Sequence, residues 1–127
     1  MSKSFWDELG LEDTILRILD IPPYQETHHF ERPFLTSYQI AIELNEAIPD
    51  LCDQINKPLG GKGTGEYNSL AQYIGLELSR RIRDDKIPNI EGRHLFHKDI
   101  TLIRFSSQGT SIDASDLTYY SMYRRTD

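Results

Sequence analysis

Between residues 67 and 82 the apolar side chains Tyr67, Leu70, Ala71, Ile74, Leu78 and Ile82 recur every three or four positions. That interval returns each of them to one face of an α-helix, whereas a strand alternates faces every second residue. Glu66 stands at the start of the run and Arg80, Arg81 and Arg83 at its end, the order that complements a helix dipole. The pattern predicts a helix over 66–85 that stops before "KIPNIEG" turns the chain. It is the strongest helical periodicity in the sequence, so the rest of the chain must supply apolar surface to cover its stripe.

The preceding segments are read as helices too. In "LTSYQIAIELNEAI" Thr36 and Gln39 have the spacing of a capping box, and Leu35 and Ile40 that of a hydrophobic staple. Ile40, Ala41, Leu44 and Ile48 form one apolar face. Pro49 suits the first turn of a further short helix whose Leu51, Cys52 and Ile55 face inward. Cys52 on that stripe reads as a small core residue. At the start of the chain, Ser4 is an N-cap candidate for "SFWDELG", with Gly10 closing it. Leu11, Ile15, Ile18 and Leu19 make a second amphipathic helix that Pro22 and Pro23 end. Residues 22–33 read as a linker or surface loop between an N-terminal helical arm (1–21) and a body (34–127).

Beyond Gly92 the composition turns to β-branched and aromatic residues. "DITLIRF" and "TSID" flank the turn "SSQG", and "LTYYSMYRR" is a further strand candidate, with a short helix capped at Ser115 as the alternative. Helices first and strands after define an α+β domain, mainly helical, with a C-terminal antiparallel hairpin or meander. The order also matches a winged helix-turn-helix, with residues 68–84 as the recognition helix and Ser106–Thr110 as the wing. The long stretch from Asn56 to Gly65 is at odds with the tight turn of such motifs.

At 127 residues the chain has the length of one domain and can hold a core without metal or disulfide help. Its one cysteine excludes an internal disulfide and fits a reducing compartment. The apolar runs are too short to span a bilayer, and acidic residues interrupt the N-terminal pattern where a secretory signal would be unbroken. A cytoplasmic protein without membrane contact is expected. The net charge of −6 opposes general nucleic-acid binding, but it is unevenly spread. Residues 1–60 hold 4 basic and 11 acidic side chains; residues 61–127 hold 10 and 9.

The glycine loop "GGKGTG" invites a phosphate-binding reading and fails its named forms. Gly63 separates Lys62 from Thr64, which breaks the P-loop register, and no strand signal precedes it. Gly61, Lys62, Gly63 and Thr64 remain a generic anion-site candidate. His28 with His29, and His94 with His97, do not reach the three or four ligands zinc takes, and no metal or other cofactor is expected. No spacing singles out a nucleophile, a base and an orienting group, so the chain is read as non-enzymatic. The leading expectation is an interaction or regulatory domain that binds a protein partner or a second copy of itself. Phe5, Trp6, Leu9, Tyr119, Tyr120 and Tyr123 are its anchors. One alternative is a winged-helix nucleic-acid-binding regulator contacting phosphates through Arg80, Arg81, Arg83, Arg93 and Arg104; another is a phosphate- or nucleotide-binding protein using the glycine loop at 60–65.

Overall fold

A computed structural model describes residues 4–23, 30–63, 68–114 and 119–127. Its elements run α1 (Phe5–Glu8), α2 (Leu11–Ile18), β1 (Leu35–Thr36), α3 (Ser37–Ala47), α4 (Leu51–Ile55) and α5 (Leu70–Arg83). The strands β2 (Ile90–Phe96), β3 (Arg104–Ser107), β4 (Thr110–Asp113) and β5 (Tyr119–Arg125) follow.

The periodic run forms α5 and buries Leu70, Ala71, Ile74 and Leu78. It begins later than the expected residue 66, because Ser69 takes the cap position and its Oγ accepts the Gln72 amide at 3.1 Å. The amides of Leu70 and Ala71 donate to the carbonyls of Pro58 and Leu59 at 2.8 and 3.1 Å. Glu66 and Tyr67 lie outside the described residues.

α3 starts with both halves of the expected capping box: the Gln39 amide donates to Thr36 Oγ1 at 3.3 Å, and the Thr36 amide to Gln39 Oε1 at 2.8 Å. Pro49 is not the first residue of the next helix. Asp50 adopts a left-handed conformation (φ 58°) and holds the N-cap position, so α4 begins at Leu51. Asn56, also left-handed (φ 55°), ends it.

Near the N-terminus Ser4 caps α1, and Gly10 at φ 61° reverses the chain into α2. Trp6, Leu11, Ile15 and Leu19 then enter the same core as Ile40, Leu44, Ile74, Leu78 and Tyr123. The N-terminal helices are therefore packed into one continuous interior.

Two antiparallel sheets complete the α+β fold. In the first, β5 lies between β1 and β2, with Leu35 and Gly92 both opposite Tyr123 and Phe96 opposite Tyr119. In the second, β3 and β4 form the expected hairpin around Gln108 and Gly109, whose φ values are both positive (48° and 86°). Two expectations are corrected. "DITLIRF" is a strand only from Arg104; Ile100 and Ile103 pack against the core from irregular chain, and the Ala114 amide closes onto the Ile103 carbonyl at 2.8 Å. The segment 90–96, to which the sequence assigns no element beyond the turn at "KIPNIEG", is the seven-residue β2. Between β2 and β5 of the first sheet the chain inserts the separate β3–β4 hairpin, and β5 returns to pair with both β2 and the short β1 that precedes α3.

Candidate functional site

α5 touches α3 on one side and β2 on another, and its buried residues occupy one arc. At 3.6 residues per turn, Gln72, Leu76, Ser79, Arg80 and Arg83 fall within about 100° on the opposite side. They form an outward ridge with Leu76, 61% exposed, at its centre. Beside the ridge runs a furrow lined by Ser37, Gln72, Gly75, Ser79 and Ser121. Tyr123, buried below it, fixes its floor: the phenol donates to the Gly75 carbonyl at 3.1 Å and shares a 2.8 Å hydrogen bond with Ser79 Oγ. Past Ser79 the concavity continues to Gly92, Arg93 and His94. Tyr73, Leu76, Arg80 and Arg83 border the other flank.

The five arginines expected as phosphate contacts do not form one patch. Arg80 and Arg81 both pair with Glu77, at 2.5 and 3.3 Å, and Arg83 pairs with Asp84 at 2.9 Å. Arg93 pairs with Glu91, and Arg104 with Asp113 at 2.7 Å. Arg81 is committed to the fold, since its guanidinium also lies 4.6 Å over the Trp6 ring. Arg80, Arg83 and Arg93 are exposed around the ridge and furrow. Arg104 is exposed too but stands with Lys62 and Asp113 at the hairpin. Hydrogen bonds from Arg83 and Arg104 hold the Asp84 and Asp113 carboxyls below their ordinary pKa and raise the partner guanidiniums. Solvent-exposed ion pairs of this kind are worth about 0–1 kcal/mol, so a phosphate can take the place of the carboxylate.

The glycine loop is a packing seam. Gly60, Gly61 and Gly63 all have positive φ (127°, 103° and 81°). A Cβ on Gly61 would lie 2.8 Å from the Asp113 carbonyl oxygen, and one on Gly60 would lie 2.9 Å from Ser69 Oγ. The Lys62 amide donates to the Asp113 carbonyl at 2.8 Å. Glycine is used here because β4 and the start of α5 press against the loop. The first three amides of α5 already have acceptors within the chain (the carbonyls of Pro58 and Leu59, and Ser69 Oγ). Thr64 lies outside the described residues.

The expected partner anchors are distributed unevenly. Trp6 is 3% exposed, and its backbone amide donates to Tyr73 Oη at 3.2 Å. Tyr120 and Tyr123 are in the core and Leu9 packs against it. Phe5 remains at the surface, edge-on to Tyr73 at 6.3 Å. Only the backbone of Tyr119 is described, opposite Phe96. Large exposed apolar residues that motif reasoning passed over are Phe30, Leu76, Leu95, Phe96 and Leu102. Leu76 had a signal: it interrupts the polar side of an otherwise amphipathic helix.

His94 lies in β2 and His97 just after it, while His28 and His29 are outside the described residues. Among the described residues no three metal-ligating side chains converge, and no helix is long and apolar enough to cross a membrane. Cys52 is half-buried; desolvation, with Asp53 adding to it, pushes its thiol pKa up, away from thiolate reactivity. In comparisons with known proteins, the chain matches no family model, no curated protein and no solved structure.

Proposed function

We propose that the protein is a nucleic-acid-binding regulator that contacts its ligand through the outward ridge of α5. The observation that carries this reading is the ridge itself: Leu76, Ser79, Arg80 and Arg83 exposed on one helical arc beside the half-buried Gln72, with Arg93 across the furrow. The packing of α5 supports it, because α3 and β2 cover the opposite arc and leave this one on the outside of the domain. The chemistry supports it as well. Arg80, Arg83 and Arg93 supply positive charge that is held only by exposed pairs, and the serine hydroxyls of the furrow suit phosphate oxygens. Three of the anchors of the protein-partner reading (Trp6, Tyr120 and Tyr123) are engaged in this chain's own core, which leaves that reading with less surface.

The overall charge of −6 opposes binding, and phosphate contacts by Arg80, Arg83 and Arg93 make it dependent on salt through counterion release. Fluorescence anisotropy at low ionic strength, with labelled DNA and RNA in single- and double-stranded form, is the test. Binding is expected, and the double substitution Arg80→Ala/Arg83→Ala should weaken it at least about tenfold while flattening the logarithmic salt slope by roughly two. Arg80 and Arg83 are both exposed, so circular dichroism should show the fold unchanged. Absence of binding to every one of these nucleic acids overturns the reading.

A further inference from the structure

We infer that the furrow beside the ridge holds one unpaired nucleobase, so that the ligand is a single strand and not a duplex. This rests on the nucleic-acid reading above and names the substrate class and its subsite. Three observations carry it.

The first is the chemistry of the furrow. It lies where the start of α3, one side of α5 and β5 meet, and it encloses about 170 Å³. A water molecule takes about 30 Å³ in the liquid, so the space is that of about five or six waters, enough for one ring-sized group. Ser37, Gln72, Ser79 and Ser121 line it together with the nearly buried Tyr38 and Tyr120, and none of its lining residues is ionised near neutral pH. A charged group would lose its hydration there without meeting a counter-charge, so the occupant is neutral. The Ser37 hydroxyl and the Gln72 side-chain amide have no hydrogen-bond partner among the described residues. Each of them both donates and accepts. The edge of a nucleobase presents donors and acceptors side by side in the same way.

The second is Gly75. It stands inside α5, where glycine is disfavoured relative to alanine. The backbone does not require it, because its φ lies outside the left-handed range. Packing does not require it either. A Cβ there would meet Ser37 Cβ at 3.8 Å, Ser37 Oγ at 3.9 Å and Tyr123 Oη at 4.0 Å, which are ordinary van der Waals distances. What the Cβ would do is occupy the furrow, which Gly75 lines. A helix that forgoes its local preference at a position where a side chain would fill a cavity marks that cavity as used.

The third is the place of the furrow among the arginines. Ser79 is exposed at its rim. The same serine borders the hollow of Arg80 and Arg83 on one side and that of Gly92 and Arg93 on the other. A base seated in the furrow therefore brings its own sugar and phosphate out beside three exposed guanidiniums. A neutral cavity with a positive rim matches the two halves of a nucleotide. In a duplex the base edges are paired and stacked, so a base reaches the furrow only after extrusion. In a single strand those edges are open to be read.

The test uses the full chain and four labelled probes of equal length: a mixed-sequence single-stranded DNA, the same sequence as single-stranded RNA, the DNA duplex, and a single strand of abasic deoxyribose phosphates. Fluorescence anisotropy should show both base-bearing single strands bound about tenfold or more tighter than the duplex and the abasic strand. Gly75→Ala should lower affinity for the base-bearing strands about three- to tenfold, and Gly75→Val about tenfold or more, with the abasic strand held within about twofold. Gln72→Ala should lower it about three- to tenfold. Thermal unfolding separates this from damage to the fold, since Gly75→Ala should leave Tm unchanged or raise it by up to about 4 °C. Duplex or abasic binding equal to that of the base-bearing strands overturns the inference while sparing the nucleic-acid reading. So does full single-strand affinity in Gly75→Ala and Gly75→Val. Failure of all four probes to bind removes the nucleic-acid reading itself.

Discussion

Gly61 and Thr36 illustrate two ways in which a single residue matters. As a cap, Thr36 works within one turn: its hydroxyl accepts the Gln39 amide and its own amide donates to the Gln39 side chain, three residues on. Thr36→Ala should destabilise the fold by about 1 kcal/mol, read from urea unfolding. Gly61 works across the molecule, where β4 leaves no room for a Cβ and φ stands at 103°. Gly61→Ala combines backbone strain with a clash against the Asp113 carbonyl and should cost about 2–3 kcal/mol, near the top of the usual range for strained positions. Gly63 has positive φ (81°) but open space around its Cβ position, so Gly63→Ala should cost only about 1 kcal/mol. Equal effects of the two glycine substitutions would remove the packing explanation of the loop. The capping box was legible in the sequence because both partners lie within it. The glycines were legible only as residues tolerant of positive φ, since their neighbours come from Ser69 and from β4.

At the level of elements, α5 and β5 are joined through Tyr123. Burial raises the pKa of this phenol above its ordinary value near 10, with the hydrogen bonds to Ser79 and Ser121 acting the other way. The folded state therefore favours the neutral phenol. Its stabilising contribution is complete below about pH 10 and is lost as pH rises through the elevated folded value. Thermal unfolding followed from pH 8 to 11 should show an alkaline loss of stability, part of it from Tyr73, whose pKa is raised in the same direction chiefly by burial. Tyr123→Phe should cost about 1 kcal/mol near neutrality by removing the bonds to Gly75 and Ser79, and should shrink the alkaline loss. An unchanged alkaline loss in that variant would show that Tyr123 does not titrate with unfolding. β5 was foreseeable from its tyrosines, but its partner β2 was not. Glu91, Gly92, Arg93 and His94 have no strand preference of their own, and they become a strand because β5, some thirty residues later, pairs with them.

Across the whole molecule, the N-terminal helices supply core. Trp6, Leu11, Ile15 and Leu19 are nearly or fully buried among residues of α3 and α5. Removing four such side chains forfeits roughly 6–12 kcal/mol of apolar burial, comparable to the about 5–15 kcal/mol by which whole domains are stable. Deletion of residues 1–21 should therefore abolish cooperative thermal unfolding. A truncated chain that still melts cooperatively near the full-length temperature would show that the helices fold as a separate arm. The charge pattern is also a property of the whole molecule. The arginines that cluster in the second half of the sequence are each brought to an acidic neighbour, two of them to Glu77, and only exposure distinguishes Arg80 and Arg83, able to exchange partners, from Arg81, fixed over Trp6.

What the sequence determined by itself is what local interactions control: α3 and its cap, the buried stripe and basic end of α5, the Gln-Gly turn of the hairpin, and the α+β order of the elements. Helix bonds, caps and tight turns close within three or four residues, so their signals are contained in short windows. Tertiary structure alone decided that β5 would sit between β1 and β2, that the glycine loop would be a seam against the hairpin, and that Trp6 and Tyr123 would be core residues. It also selected, among five similar arginines, those that flank an open ridge. Those outcomes depend on which distant segments meet, because burial and pairing are properties of both partners and no window of sequence contains both.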